Sequence, residues 1–326
     1  MKWRTEIEKG KEGVKLNPER GILLAGSCFA DYMGARMRAG LWDAQNPFGV
    51  LFNPLSIAEA LRISLLSDEP ENEYRKSIFR TEDKFLSWLA DSKVWGCNRD
   101  ETINKLTQRG AQARDLLKSD ETLCVTFGTA YCYFLDGDNG RAVANCHKQP
   151  QSKFSRRRIS ADEICAIWAR LIYDLKERYP DLLVIFTVSP VRHVRDGLHD
   201  NTLSKATLHL AIDQLCKEFD FCHYFPAYEI LIDDLRDYRF YADDLVHPSS
   251  TAVEYIWEVF KNTYLDSQGE EMLKKGETIS RRTSHRHIFP DSPEAIHFKQ
   301  QTLDMYEQFR KEYPHALKIP TLSDKS

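Results

Sequence analysis

The chain has 326 residues, with 45 Lys and Arg against 49 Asp and Glu, for a formal net charge of −4 at pH 7. That length can bury one large core or two ordinary ones, and so even a charge balance points away from nucleic acid and anionic membranes, leaving a small molecule or a glycan as the expected partner. No apolar run approaches the roughly 18 residues of a membrane helix, Met1 to Gly10 has no signal-peptide core, and the eight cysteines contain no Cys-x-x-Cys pair, so a cytoplasmic protein with reduced thiols is expected.

In chain order, the apolar run Gly21 to Ala25 predicts a buried first strand over Ile22 to Ala25, which hands the chain to a helix at Gly26-Ser27-Cys28-Phe29-Ala30. A weaker strand is predicted around Phe48 to Phe52. Residues 70–120 exceed a simple crossover: Glu73 to Trp95 reads as too polar for core and Asp100 to Leu117 as helical, which predicts an insertion overhanging the sheet edge. The third strand is Thr122 to Phe127, with Tyr131 to Leu135 as a candidate extension. Ser160-Ala161-Asp162-Glu163 has the form of a capping box and opens a helix with Ile164, Ile167, Trp168, Leu171 and Leu175 on one face, ending near Pro180. Leu182 to Val188 is continuously apolar and β-branched, as a central parallel strand should be, and Phe219 to Phe225 is the fifth strand. A helix begins near Ser250 with Val253, Ile256, Trp257 and Phe260 on one face. After about residue 265 the chain turns polar and basic, through Arg281-Arg282 and His285-Arg286-His287, before a helical pattern from Ser292 to Tyr313. The alternation predicts an α/β fold: a three-layer α/β/α sandwich with a five-stranded, mainly parallel sheet over residues 1–265, and a mainly helical extension over 266–326 packing on it.

Parallel α/β sheets place reactive groups at the carboxyl ends of their strands, and Ser27 falls at one. A serine hydroxyl needs a base. The best candidate is His247 in Tyr241-Ala242-Asp243-Asp244-Leu245-Val246-His247-Pro248, because a tight turn at that spacing lets Asp244 reach Nδ1–H and fix the tautomer. A capping Asp244 with a surface His247 is the plain alternative. Oxyanion donors are expected from the Ser27 and Gly128 N–H groups and the Asn145 side chain, against a turn glycine and a self-satisfied loop asparagine. Cys28 competes with Ser27, since a thiol at a helix N-terminus can have a lowered pKa; the alternative is a small side chain packed under the sheet. Arg192 and His193, past the central strand, and Glu229, past the fifth, are candidate substrate contacts, with local ion pairs as the alternative, for Glu229 to Arg236 or Arg239. Cys146 and His147, with Cys132, fit no common zinc spacing, so no metal is expected. Arg156-Arg157-Arg158 reads as a solvated loop.

The order Ser27, Gly128, Asn145, then Asp244 with His247, resembles the four motif blocks of SGNH (GDSL-like) hydrolases. Gly26 to Ala30, with Asn46 to Pro54, Ser189 to His193 and Phe225 to Ile230, resembles the GSCFA-domain proteins of that superfamily. There is no Gly-x-Ser-x-Gly elbow, and Gly26-Ser27-Cys28 stands where Gly-Asp-Ser is usual. The resemblance implies a cofactor-free serine esterase, with Ser27 as nucleophile and a small acyl ester, such as O-acetyl on a carbohydrate, as substrate. An acyltransferase using the same triad and a non-catalytic binding module remain the rival expectations.

Overall fold

Alternate residues of the first strand, β1 (Ile22–Gly26), serve two different cores: Leu23 and Ala25 pack on one side of the sheet, Ile22 and Leu24 on the other. A strand covered on both faces must be apolar throughout, and this one is. The computed structural model describes residues 4–7, 13–137 and 140–319, so parts of the amino-terminal reading and the end of the predicted extension lie outside the described residues.

After β1 come α1 (Cys28–Ala39), β2 (Ala44–Gln45), α2 (Pro54–Leu66), α3 (Pro70–Ser77), β3 (Ile78–Thr81), β4 (Lys84–Ser87) and β5 (Trp95–Gly96). The chain continues through α4 (Arg99–Asp120), β6 (Thr122–Phe127), β7 (Tyr131–Leu135), β8 (Ala142–Val143), β9 (Phe154–Arg158), α5 (Ala161–Arg178) and β10 (Leu183–Val188). It closes with α6 (Leu198–Glu218), β11 (Cys222–Tyr224), α7 (Ala227–Glu229), α8 (Ser250–Tyr264), α9 (Ser267–Thr283) and α10 (Pro293–Glu312).

The central sheet has five strands in the order β11-β10-β6-β1-β2, every pairing parallel. Helices α2, α4, α5 and α6 cover one face through Ile57, Leu117, Trp168 and Leu208. Helices α1, α8 and α9 cover the other through Met33, Trp257, Phe260 and Leu273. The expected α/β/α layering is present, and the capping box at Ser160 and Glu163 forms as predicted.

Three local expectations are corrected. Phe48 to Phe52 is not a strand. The edge position is taken by β2, while Val50 makes a single bridge to Gly26 and the segment folds over the end of β1, its Leu51 N–H donating to Gly26 O at 2.9 Å. Tyr131 to Leu135 does not extend β6 but joins a separate antiparallel sheet, β8-β7-β9. Glu73 to Trp95 is not a solvated excursion. Tyr74, Ile78, Leu86, Leu89 and Val94 form a buried cluster with Ile103 and Leu106 of α4, because the β3–β4 hairpin turns alternate residues inward and leaves its charges outside. Helix α4 also places Ala113 and Leu117 in the main core, so it is the crossover to β6 rather than an overhang.

Beyond α8, Met272, Ile279, Tyr306 and Phe309 of α9 and α10 pack with Leu41. Gly276 of α9 meets the end of α1 backbone to backbone: a Cβ there would lie 2.1 Å from Gly40 O. All eight cysteines are free, and no described helix is long and apolar enough to cross a membrane.

Candidate active site

Gly26 ends β1 at φ +142°, and a Cβ there would sit 2.2 Å from Thr126 O, so only glycine lets β1 and β6 approach this closely. The next residue, Ser27, is the N-cap of α1. Its Oγ accepts a hydrogen bond from Phe29 N–H at 3.3 Å, its own N–H donates to Thr126 O at 3.1 Å, and it is 1% exposed. The residue expected to be the nucleophile is therefore a buried cap. Its neighbour Cys28 is partly exposed in the first turn of α1, with its own N–H and that of Phe29 directed at the thiol. Burial pushes this thiol up, Asp31 adds to the rise, and the two N–H groups and Lys205 oppose it.

The oxyanion donors are rearranged as well. Gly128 N–H is used within the fold, donating to Phe52 O at 2.8 Å, and the Ser27 N–H is used as described above. Asn145 is different. Its Oδ1 accepts from His147 N–H at 2.7 Å, and among the described residues its amide nitrogen has no acceptor. His147 fixes this loop: Nε2–H donates to Ser87 O at 2.9 Å and Nδ1 lies 3.2 Å from Ser92 Oγ, while burial lowers its pKa. Both ring nitrogens are thus used structurally. Among the described residues no group of three or more His, Cys, Asp or Glu side chains is arranged to hold a metal.

The Asp244 to His247 turn has the geometry its spacing predicts. His247 Nδ1 lies 2.6 Å from Asp244 Oδ2, and Asp244 Oδ1 accepts from the Val246 and His247 N–H groups, both at 2.9 Å. The bonds from His247, first its backbone N–H and then its ring, together with that of Val246, hold the Asp244 carboxyl down at about 2. Leu245 pays for the turn with φ +57° and is 52% exposed beside the pair. The turn is tied to the segment after β10 by Arg192 N–H, which donates to Val246 O at 3.2 Å. Tyr32 of α1 lies within electrostatic reach of both Cys28 and Asp244, and His193 within reach of both His247 and Lys205, so these groups share the carboxyl edge of the sheet. Among the described residues no hydrogen bond joins His247 to Ser27 or Cys28.

The other expected contacts are largely occupied. The Arg192 guanidinium stacks over the Tyr241 ring at 4.5 Å. His193 packs edge-on to Phe52, and burial pulls its pKa down to about 4. Glu229 accepts from Tyr224 Oη at 2.7 Å and lies 3.5 Å from His209 Nδ1, instead of pairing with Arg236 or Arg239. Arg156 pairs with Asp196 at 2.6 Å and Arg157 with Glu163 at 2.7 Å.

The floor of the site was missed in the sequence. Three polar side chains of α6 are buried there. Asn201 Oδ1 accepts from His193 N–H at 2.9 Å and Ser204 Oγ from Ala130 N–H at 2.8 Å, while Lys205 Nζ donates to Gly128 O at 2.7 Å and Ser189 O at 2.6 Å. Their spacing of three and four puts them on the face that continues as Leu208, Ala211, Ile212 and Leu215. Polar residues on an otherwise apolar helix face were the available signal.

The model of the GSCFA family matches residues 21–260, a span holding every site residue described above. No curated protein and no solved structure matches the chain.

Proposed function

The chain belongs to the GSCFA family, and on that premise we propose that it is an SGNH-type acyl hydrolase in which Cys28, rather than Ser27, attacks the acyl carbon. The observation that carries this reading is the contrast at the start of α1: Ser27 is buried and spent on capping, whereas Cys28 is accessible and has two backbone N–H groups at its sulfur. Because burial raises the thiol, attack begins from S–H and needs a base. His247 Nε2 takes the proton as Sγ bonds to the ester carbonyl carbon. Asp244 holds Nδ1–H and steadies the imidazolium. The Cys28 N–H and the Asn145 amide nitrogen receive the oxyanion. The tetrahedral intermediate collapses with loss of the alkoxide, which takes the proton back from His247. Water, deprotonated by the same imidazole, then splits the thioester, releasing the acid and regenerating the thiol. This chemistry needs no cofactor. A small acyl ester, such as O-acetyl on a carbohydrate, is the substrate proposed on the family resemblance, and the cytoplasm the proposed compartment.

Brief reaction with p-nitrophenyl acetate followed by peptide mapping tests the assignment, with the exposed Cys97 as the internal reference thiol. The acetyl group is expected on Cys28 ahead of Cys97, still present in Ser27→Ala and absent from that position in Cys28→Ala. Acetyl on Ser27 would return the chemistry to the hydroxyl, and no preferential acetylation in folded wild type would make the chain a binding module. Discharge of the adduct to an added sugar instead of water would make it an acyltransferase.

A further inference from the structure

Lys205 is 2% exposed, and no carboxylate lies within ion-pair distance of its ammonium among the described residues. Burying a lysine without a counter-charge is costly, so its surroundings must compensate. Two carbonyls do so, Gly128 O from the segment after β6 and Ser189 O from the segment after β10. The Tyr228 ring lies 5.9 Å away. These two segments flank the start of α1, and Cys28 is within electrostatic reach of the ammonium. A neutral side chain able to donate to both carbonyls would serve a purely structural purpose at lower cost.

We propose that Lys205 is a positioning residue for Cys28: it ties the ends of β6 and β10 to α6 and directs the site's buried positive charge at the sulfur, favouring the anion that forms there. The inference rests on Cys28 being the reacting group, but testing it requires no turnover. The charged and titratable groups facing the sulfur are Asp31 of its own helix, which opposes the anion, and Lys205 from α6. Those facing Lys205 are Cys28 from α1, His193 from the segment after β10 and His209 from its own helix. Burial pulls Lys205 down to about 7, so its charge is present below that pH and fades above it.

The experiment is the rate of N-ethylmaleimide addition to Cys28 across pH, resolved by peptide mapping and referred to Cys97 in the same molecule. In Lys205→Gln and Lys205→Met, Cys28 is expected to react about tenfold more slowly than in wild type at acidic pH, the equivalent of about one pKa unit. The gap should close as pH rises through about 7. Lys205→Arg, whose charge does not titrate away, should keep the acceleration over the whole range. Wild-type rates in folded Gln and Met variants would overturn the proposal. So would loss of folding in all three variants, Arg included, which would make the residue a structural tie alone. If esters fail to acetylate Cys28 while the rate gap appears, the proposed hydrolase fails and the Lys205 assignment stands.

Discussion

Asp244 and His247 hold each other across a short exposed turn, while Cys28 and Lys205 come from opposite ends of the domain and meet where water is scarce. In the first pair a carboxylate balances the imidazole in solvent, so little desolvation has to be offset and the geometry follows from spacing three. In the second a lone ammonium depends on carbonyls delivered by two strands and a helix, so its position exists only once the sheet has assembled. Local pairing supplies the movable proton, and tertiary structure supplies the fixed charge. A site that needs both has reason to build them differently.

The sharpest way to break this contrast is at the base. His247→Ala is expected to slow ester turnover by about 10²–10⁴-fold, and Asp244→Asn by about 10- to 100-fold, because the carboxylate is half exposed and solvent replaces part of its work. Steady-state rates on folded variants check both, and an unchanged rate in His247→Ala would remove this edge from the chemistry. Next is Ser27→Ala. Loss of the cap should lower unfolding free energy by about 1 kcal/mol, read from the urea midpoint, with Cys28 acetylation retained. The smallest effect lies at His193, which feels both edges. Its folded pKa of about 4 lies below the ordinary 6.5, so on acidification the unfolded chain takes the proton first. Stability from this residue is therefore fully present above 6.5, declines as pH falls and levels off below 4. His193→Phe should flatten the melting temperature across that window, and an unchanged slope would place His193 outside the buried edge.

The same contrast explains what could be read from the chain. Asp244-x-x-His247, the capping box at Ser160 and the apolar run of β10 are local patterns, and each took its expected form. The choice between Ser27 and Cys28 turned on where β1 ends, a matter of one residue set by the close approach of Gly26 to Thr126. Serine's preference for N-cap positions pointed the right way but was outweighed by its reputation as a nucleophile. That the Gly128 N–H is spent depends on the Phe52 carbonyl, which no pattern near residue 128 announces. The buried β3–β4 hairpin was hidden by the charged residues alternating with its core positions.

Helix α1 has 12 residues, about 18 Å of rigid rod, with the thiol at its tip and Gly40 against Gly276 at its butt. There is no slack at that joint, since bare backbone meets bare backbone. A methyl group added at 276 would therefore push the whole strut endwise, and the displacement would emerge at the sulfur rather than dissipate in side-chain rearrangement. The tail helices, remote from every reacting atom, thereby become the anvil against which the nucleophile is aimed.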